Sequence, residues 1–500
     1  MLVLLLPAAG AAGAPGRAGN APVSARAGAA AAPGGLPVTV AINPLAPGPV
    51  VPERFLGLSF EAAALTQLSQ YNNRGNLVSM LRSLGPGMLR FGGITADENV
   101  AWTDAQTPRP AWASSVIGPA QMHALGVLAR RSGWQVLLTV GLAHYEPTAA
   151  AREVAAAHRA LGANLAAVEI GNEPNSYGSH GLRELPWLAQ TYEEEVTSYR
   201  QAIDALTPGV PIAGPDISGS GIFSDWGEAE ALTQQPVLLT GHHYPLGCVQ
   251  TPPPSIELLL SEETRAREAR SLATYMSLEP ITGIPVRIDE ANTVSCGGTP
   301  GISNTFASAL WASGYITQAM TAGTAGINLQ GNPKNCPGYT PLCTPDPAAI
   351  ASGQLSAEPE WYALLLTSSL VGTRPLPSTI SASTAPNLAV ASFLGPEHSF
   401  KVVLVDDEPQ GAQPLALHLQ LGSADGNAQI LRLTAPAQSA SRGVLLGGRA
   451  VAADGLWSPP ARPPTVPVRG GTVALALAAD SAALVTVSSA RPAHRRSRAH

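Results

Sequence analysis

The sequence predicts an α/β protein, a (β/α)8 TIM barrel followed by a C-terminal all-β sandwich domain. Eight short runs of β-forming residues recur between Leu56 and Gly331, and helical stretches rich in alanine, leucine, arginine and glutamate separate them. Eight alternations over about 280 residues match such a barrel in number and length. After about Ser378 the pattern changes to short alternating runs between Gly, Pro and Asp turns, which is typical of a sandwich.

The predicted barrel strands are apolar runs that end in polar or glycine-containing clusters, as expected of strands buried on both faces. They are Leu56–Glu61, Met88–Gly93, Gln135–Leu142, Ala166–Glu173, Pro211–Ile217, Val237–Tyr244, Pro285–Asn292 and Gly326–Gly331. The predicted helices include Ala149–Leu161, Trp187–Leu206, Glu262–Met276 and, after the eighth strand, Glu360–Leu370. The predicted sandwich strands are Leu388–Leu394, Phe400–Val405, Leu415–Leu421, Gln429–Leu433, Thr472–Leu477 and Ala482–Val487.

These elements divide the chain into five parts. Residues 1–36 begin with MLVLLLPAAGAAGA, an apolar run followed by small residues that resembles a secretory signal without its basic start. We therefore expect a signal-like, disordered leader and a secreted protein. Residues 37–50 contain the strand Pro37–Ile42, which has no place in the barrel and could join the sandwich. Residues 51–372 form the predicted barrel, 373–489 the sandwich and 490–500 a disordered basic tail.

The composition excludes several classes of partner. The formal net charge is −6, hydrophobic residues make up 45% and charged residues 13%, and the only lysines are Lys334 and Lys401. A globular chain without a basic stripe is unsuited to nucleic acid or to a heavily sulfated polymer. No segment reaches 18 uninterrupted apolar residues, so no membrane span is predicted. The oligomeric state is not indicated.

The four cysteines, Cys248, Cys296, Cys336 and Cys343, lie in Gly/Pro-rich segments where loops are expected. An even number in an exported protein favours disulfides, with free thiols or metal ligands as alternatives. Cys336 and Cys343 are close enough in sequence for a local clip, which leaves Cys248 to pair with Cys296. No CxxC or HxxxH spacing indicates a metal site.

Two glutamates lie at the carboxyl ends of the predicted strands four and seven, where barrel enzymes place catalytic groups. Glu173 lies in IGNEP and Glu290 in IDEAN. We expect Glu173 to end its strand at the mouth, on the same face as Glu169, before Pro174 stops the strand. Carboxylates about 5 Å apart suit a retaining glycosidase, in which one attacks the sugar and the other moves a proton. The alternative is that each caps a helix or pairs with an arginine.

Seven segments in order carry a resemblance to a known family. They are FLGLSFE (Phe55–Glu61), LRFGGITAD (Leu89–Asp97), VEIGNEPN (Val168–Asn175), GHHYP (Gly241–Pro245), DEANTVSCGG (Asp289–Gly298), ISNTFASALW (Ile302–Trp311) and GYTPL (Gly338–Leu342). Together they resemble glycoside hydrolase family 79, the β-glucuronidase and heparanase-like family within the clan of retaining barrel hydrolases. The match extends from about Pro37 to Val487.

The resemblance implies roles for individual residues and no cofactor or metal. Glu173 would be the general acid/base and Glu290 the nucleophile. Three further residues would contact the sugar or the nucleophile: Asn172 at the 2-hydroxyl, Tyr244 at Glu290, and Glu61 at ring hydroxyls. The carboxylate of a uronic acid would be bound by backbone N–H groups and a tyrosine, at Gly297, Gly298, Gly338 and Tyr339. Many relatives carry an aromatic residue where this chain has Cys296.

Other interpretations of these residues stay open from the sequence. Asn172 could merely end its strand, and the glycine pair could merely form a turn. His242 and His243 could be structural. Arg90 could be a buried ion-pair partner or a substrate contact, and Asp97 could cap a helix.

We expect an exo-β-glucuronidase that releases terminal glucuronic acid or its 4-O-methyl form. The scarcity of lysine around the motifs favours exo action over a heparanase-like endo-β-glucuronidase. A retaining β-glycosidase of another specificity is an alternative. A non-catalytic carbohydrate-binding protein on the same fold is another.

Overall fold

The computed structural model describes residues 34–422 and 426–488. Within these ranges the chain forms an eight-stranded parallel sheet and a larger, mostly antiparallel sheet. The barrel and sandwich predicted from the sequence are thereby confirmed. The apolar run at the start of the chain and the basic tail lie outside the described residues.

The parallel sheet forms the barrel. Its strands are Leu56–Glu61, Met88–Gly92, Gln135–Val140, Leu165–Ile170, Ala213–Ser218, Leu238–His243, Val286–Ala291 and Gly326–Gly331, numbered here one to eight. They pair in the order four, three, two, one, eight, seven, six, five. A parallel bridge between Val168 and Ile212 joins strand four to the segment before strand five and closes the ring. All eight carboxyl ends therefore meet at one mouth.

Helices follow every strand and cover the barrel. The main ones are Leu65–Ser69 with Leu77–Ser83, Pro119–Ser132, Pro147–Leu161, Ala189–Leu206, Phe223–Thr233, Glu262–Met276, Phe306–Ala322 and Pro359–Ser368. Short helices and strand pairs in the loops are Ile94–Glu98, Ile256–Leu259, Glu279–Thr282, Pro347–Ser352, Val100–Trp102 with Ser115–Ile117, and Leu342–Cys343 with Ser356–Ala357. Three of the main helices begin with proline in the first turn, where its missing N–H costs nothing. Among the described residues no helix is both long and apolar enough to cross a bilayer.

The second sheet forms the sandwich. Its strands are Leu36–Ile42, Arg374–Leu376, Ser378–Ala382, Leu388–Leu394, Phe400–Asp406, Leu415–Gln420, Gly426–Thr434, Leu445–Leu446, Thr465–Arg469, Thr472–Leu477 and Ser481–Val487. Leu36–Ile42 pairs in parallel with Leu415–Gln420 and antiparallel with Ser378–Ala382. Four strands absent from the sequence prediction are two- to five-residue elements, Arg374–Leu376, Ser378–Ala382, Leu445–Leu446 and Thr465–Arg469. Elements this short carry too little alternation to be recognised.

The sandwich packs on the barrel through one of its faces. Phe393, Val403 and Leu484 are buried in the same apolar cluster as the barrel core. A loop of the sandwich also caps the barrel helix Phe306–Ala322, because the Phe306 N–H donates a hydrogen bond to the Ala440 carbonyl at 2.8 Å. The loop thus satisfies an N–H group that no residue within the helix could bond.

Candidate active site

A cavity of about 660 Å³ opens at the mouth of the barrel. It is lined by seven of the site residues predicted from the sequence: Glu61, Asn172, Glu173, Tyr244, Glu290, Gly297 and Tyr339. Lining residues that the sequence did not single out for the site include Ile94, His242, Ser295, Gln330 and Asn332. A groove of similar volume between helix Glu262–Met276 and the sandwich is lined by only one carboxylate, Glu262. The mouth of the barrel is therefore the candidate active site.

Glu173 and Glu290 face each other across this cavity. One carboxylate oxygen of each lies within 4.8 Å of the other and of a ring nitrogen of His242. The Glu290 side chain is 8% exposed and that of Glu173 is 26% exposed. Two carboxyl groups about 5 Å apart are spaced for attack on a sugar carbon by one and proton transfer by the other.

Glu173 reaches the cavity by a turn and not as the last residue of strand four, contrary to expectation. The strand ends at Ile170, and Gly171 takes the left-handed conformation with φ +83°. A Cβ at Gly171 would lie 2.6 Å from the Tyr177 hydroxyl, so a glycine is needed there. Glu173 itself has φ +48°, and its N–H donates to the Asp216 carbonyl at 2.8 Å. Strand alternation with Glu169 therefore does not apply to Glu173.

Arg90 lies beneath the cavity as the centre of a buried ion network. Its guanidinium donates to Glu169 at 2.9 Å, Glu290 at 2.8 Å and Asp216 at 2.6 Å, and Nε lies 3.0 Å from Asp289. Burial disfavours the charge, but the carboxylates, Asp216 first, outweigh it and keep the pKa of Arg90 well above its ordinary value. Arg90 is fully buried, which matches the ion-pair interpretation and leaves it no contact with substrate.

The His242 ring lies between the carboxylates of Glu173 and Asp216. Its Nδ1 lies 2.8 Å from Glu173 Oε1, and its Nε2 lies 2.6 Å from Asp216 Oδ1. Burial lowers the pKa of His242, but the negative charges of Glu290 and Asp216 outweigh burial and raise it well above the ordinary value. Each ring nitrogen lies at hydrogen-bond distance from a carboxylate oxygen, so the raised pKa favours a protonated ring that donates from both nitrogens. The ring nitrogens and the surrounding carboxylates are also close enough to hold a metal ion, which would have to displace the ring protons.

Two tyrosines form the wall beside Glu290. The Tyr244 hydroxyl donates to Glu290 Oε1 at 2.7 Å and lies 3.2 Å from the Tyr339 hydroxyl. Burial, followed by the charge of Glu290, raises the pKa of Tyr244 well above its ordinary value. Tyr244 therefore remains a hydrogen-bond donor and orients one oxygen of Glu290, while Arg90 orients the other.

Glu61 lies at the end of strand one, on the cavity wall. It accepts hydrogen bonds from the Thr95 N–H at 3.0 Å and the Thr95 hydroxyl at 2.7 Å. Burial, and then the charge of Glu290, raises the pKa of Glu61 from 4.5 to about 7. The group can therefore accept or donate hydrogen bonds near neutral pH.

Asp97 positions Asn172 and is not simply a helix cap. Its carboxylate accepts from the N–H groups of Leu142, Ala143 and Asn172, at 2.7, 3.0 and 2.8 Å. The Asn172 side-chain oxygen accepts from Arg90 at 2.9 Å. Held at both ends, Asn172 keeps its amide beside the cavity.

The predicted uronate-binding residues are only partly brought into the cavity. Gly297 and Tyr339 line it, whereas Gly298 and Gly338 are not among the lining residues. The N–H groups of Gly298, Gly338 and Tyr339 donate to the carbonyls of Ser295, Asn335 and Gly297. Of the N–H groups at these four positions, only that of Gly297 has no protein acceptor among the described residues.

The cysteines form the two expected disulfides, Cys248–Cys296 and Cys336–Cys343, with Cα atoms 5.9 and 5.5 Å apart. Cys296 lines the cavity. His243 lies away from it, stacked on Tyr315 at 4.6 Å between ring centroids, as a structural histidine would be. The sequence analysis did not identify Asp216, although an acidic residue in the carboxyl-terminal half of strand five was a signal that could have found it.

Comparison with solved structures places the fold among glycoside hydrolases. The chain is similar to a 4-O-α-L-rhamnosyl-β-D-glucuronidase from Fusarium oxysporum 12S, with a TM-score of 0.73 and 19% identity over 90% of this chain and 100% of that one. It is also similar to a GH51 arabinofuranosidase from Xanthomonas axonopodis pv. citri, with a TM-score of 0.65 and 15% identity over 90% and 100% of the two chains. A GH30 endoxylanase from Clostridium papyrosolvens C71 gives a TM-score of 0.52 and 12% identity over the same shares.

These identities concern the shared barrel-and-sandwich fold. No protein-family model and no curated protein matches the sequence. The similarity therefore shows a fold that this chain shares with these glycoside hydrolases.

Proposed function

We propose that this protein is a retaining glycoside hydrolase that acts as an exo-β-glucuronidase, with Glu290 as nucleophile and Glu173 as general acid/base. The observation that carries the proposal is the pair of carboxylate oxygens within 4.8 Å of each other at the mouth of the barrel. That spacing suits a double displacement and is shorter than the separation of about 6.5–9.5 Å between the carboxyl groups of inverting enzymes.

The roles follow from the contacts of each carboxylate. Glu290 is held through one oxygen by Arg90 and through the other by Tyr244, so it is oriented for attack on the anomeric carbon. Its attack forms a C–O bond as the glycosidic bond breaks, and Glu173 gives a proton to the departing oxygen. Water then attacks the anomeric carbon, Glu173 takes its proton, and the bond to Glu290 breaks.

Asn172 would bind the 2-hydroxyl of the sugar, a contact that strengthens in the transition state. Its backbone and side chain are both fixed, by Asp97 and Arg90. Glu61 would accept from hydroxyls on the far side of the ring.

The preference for glucuronide is supported by Gly297 and Tyr339. Both residues line the cavity, and the Gly297 N–H, which has no acceptor among the described residues, and the Tyr339 hydroxyl could donate to a sugar carboxylate. A glucuronidase among the structural neighbours agrees with this choice. No lysine or arginine is among the lining residues, which favours release of a terminal sugar over cleavage within a sulfated chain.

A second candidate is a retaining glycosidase for a neutral sugar. It is favoured by the internal hydrogen bonds of Gly298, Gly338 and Tyr339, which leave fewer backbone donors for a carboxylate. Arabinofuranosidases among the structural neighbours point the same way. Rates on aryl β-glucuronide, β-glucoside, β-xyloside and α-arabinofuranoside separate the candidates. A preference for any neutral glycoside would overturn the glucuronidase proposal.

The nucleophile is tested with Glu290→Ala. We expect turnover to be lost and azide to restore part of it, giving a glycosyl azide of inverted configuration because azide occupies the emptied face. Glu290→Gln serves as the isosteric control and should not be rescued. Retained turnover in either variant would contradict the assignment.

The acid/base is tested with Glu173→Ala on two kinds of substrate. Only poor leaving groups need protonation, so the loss should be much larger for an alkyl glucuronide than for a dinitrophenyl glucuronide. Equal losses would count against the role.

We also propose that the protein is secreted. Two disulfides suit an oxidising compartment, and the apolar first residues suit export. Expression with residues 1–36 fused to a reporter tests this, and retention of the reporter inside the cell would contradict it.

A further inference from the structure

We propose that the Cys248–Cys296 disulfide is a positioning element of the active site, which keeps Gly297 against Tyr339 and so fixes the sugar-facing wall. This role depends on the proposed function only for its kinetic consequence. The structural part concerns two loops and can be measured without substrate.

The disulfide joins the loop after strand six to the loop after strand seven. Next to it, the Ser295 N–H donates to the Leu246 carbonyl at 3.0 Å, and the Cys248 N–H donates to the Ser295 hydroxyl at 3.0 Å. Cys296 has φ +59°, a conformation that is uncommon for a residue with a Cβ and that a local constraint can hold. The cross-link and the hydrogen bonds on both sides of it supply that constraint.

The constraint passes directly to the loop after strand eight. Gly297 follows Cys296, and its carbonyl accepts from the Tyr339 N–H at 3.2 Å. The approach is close, because a Cβ on Gly338 would lie 2.3 Å from the Gly297 oxygen. A Cβ on Gly298 would likewise lie 2.6 Å from the Tyr339 nitrogen. A shift of Gly297 therefore moves Tyr339.

Tyr339 is linked to Glu290 through Tyr244. Its hydroxyl lies 3.2 Å from that of Tyr244, and the two rings stack with centroids 5.8 Å apart. Tyr244 has its own hydrogen bond to Glu290 at 2.7 Å. Loss of the disulfide should therefore affect substrate binding, in which Tyr339 takes part, more than turnover.

The test compares the intact enzyme with Cys248→Ala/Cys296→Ala. We expect hydrogen exchange in peptides containing Tyr339 to become at least about tenfold faster, because its acceptor is no longer fixed. KM for an aryl β-glucuronide should rise at least about tenfold, with kcat changed by less than about threefold, since misplacement by about 1 Å is costly to a positioned contact. Unchanged exchange would overturn the proposal, and so would faster exchange with an unchanged KM.

A matched control separates this effect from loss of stability. Asn76 is buried, and its side chain bonds both the carbonyl and the N–H of Leu355, at 2.8 and 2.9 Å, away from the cavity. Asn76→Ala should lower the melting temperature without changing KM or exchange at Tyr339. If it raises KM as much as the cysteine variant does, the disulfide has no specific role.

The proposal can still be tested if the double variant does not fold or if the intact protein shows no activity. If the double variant does not fold, a phosphine can reduce the Cys248–Cys296 bond of the intact protein, because Cys248 is exposed while Cys343 of the other disulfide is buried, and an oxidant can restore the bond. Faster exchange at Tyr339 on reduction, reversed on oxidation, supports the proposal, and no change overturns it. If the intact protein cleaves no glycoside, the glycosidase proposal fails while the exchange result still decides this one.

Discussion

Glu153 offers a test of how strongly burial acts on a single carboxyl group in this barrel. It lies in helix Pro147–Leu161, is 6% exposed, and has no hydrogen-bond or ion-pair partner among the described residues. Burial alone raises its pKa from 4.5 to about 8. The folded chain therefore binds this proton more tightly than the unfolded chain between about pH 4.5 and pH 8.

The sign and size of the effect on stability follow from this difference. Because the pKa of Glu153 is raised in the folded chain, this group does not lower the free energy of unfolding below pH 4.5. The free energy of unfolding then falls as the pH rises toward 8. At about 1.36 kcal/mol per pH unit, the ceiling is about 5 kcal/mol, and most of it falls between pH 5 and pH 8. Glu153→Gln, which keeps the shape but does not ionise, should therefore gain about 3 kcal/mol relative to the original chain between these two pH values.

Urea unfolding at pH 5 and pH 8 measures this gain. Glu228→Gln, at an exposed position of helix Phe223–Thr233, is the matched control and should show no pH-dependent gain. If Glu153→Gln keeps the full pH dependence of the original chain, Glu153 is not ionising in a dry site and the reasoning is refuted.

Three further predictions concern the site. Tyr244→Phe removes the hydroxyl 2.7 Å from Glu290 and should lower kcat by about 10- to 100-fold, the value of a hydrogen bond to a charged group; an unchanged kcat would contradict its orienting role. His242→Gln removes the positive charge beside Glu173 and Glu290, so both limbs of the pH–activity profile should move to higher pH, by about one unit or more, and a profile that stays in place would refute the imidazolium assignment. Arg90→Met leaves buried carboxylates without their counter-charge and should lower the free energy of unfolding by at least about 3 kcal/mol in urea; a smaller loss would mean that the network is not held by this charge.

Much of the barrel could be predicted because its strands are buried on both faces and read as short, mainly apolar runs with polar residues toward their carboxyl ends. Leu56–Glu61 and Gly326–Gly331 lie where they were predicted, and the two glutamates stand out as charges near the ends of such runs. The predicted end of strand four was wrong by three residues, because Gly171 turns the chain before Pro174 could stop it.

The parts of the site that could not be predicted depend on contacts between distant strands. The charge state of His242 is set by Asp216 and Glu290, which are 26 and 48 positions away in the chain. The occupied N–H groups of Gly298 and Gly338 depend on local loop geometry, which the repeated glycines alone do not specify. The residue types thus indicated where chemistry could occur. The protonation of His242 and the availability of backbone N–H donors depend on the three-dimensional structure.

The strand Leu36–Ile42 has a consequence for biosynthesis. Both of its neighbours in the sheet, Ser378–Ala382 and Leu415–Gln420, are translated more than 300 residues later. This strand, the first among the described residues, must wait unpaired while the whole barrel emerges from the ribosome, and its hydrogen-bonding edges are exposed to other chains meanwhile. A nonsense mutation before residue 378 would therefore orphan this first strand as well as remove the last domain, so truncated products should aggregate instead of persisting as free barrels.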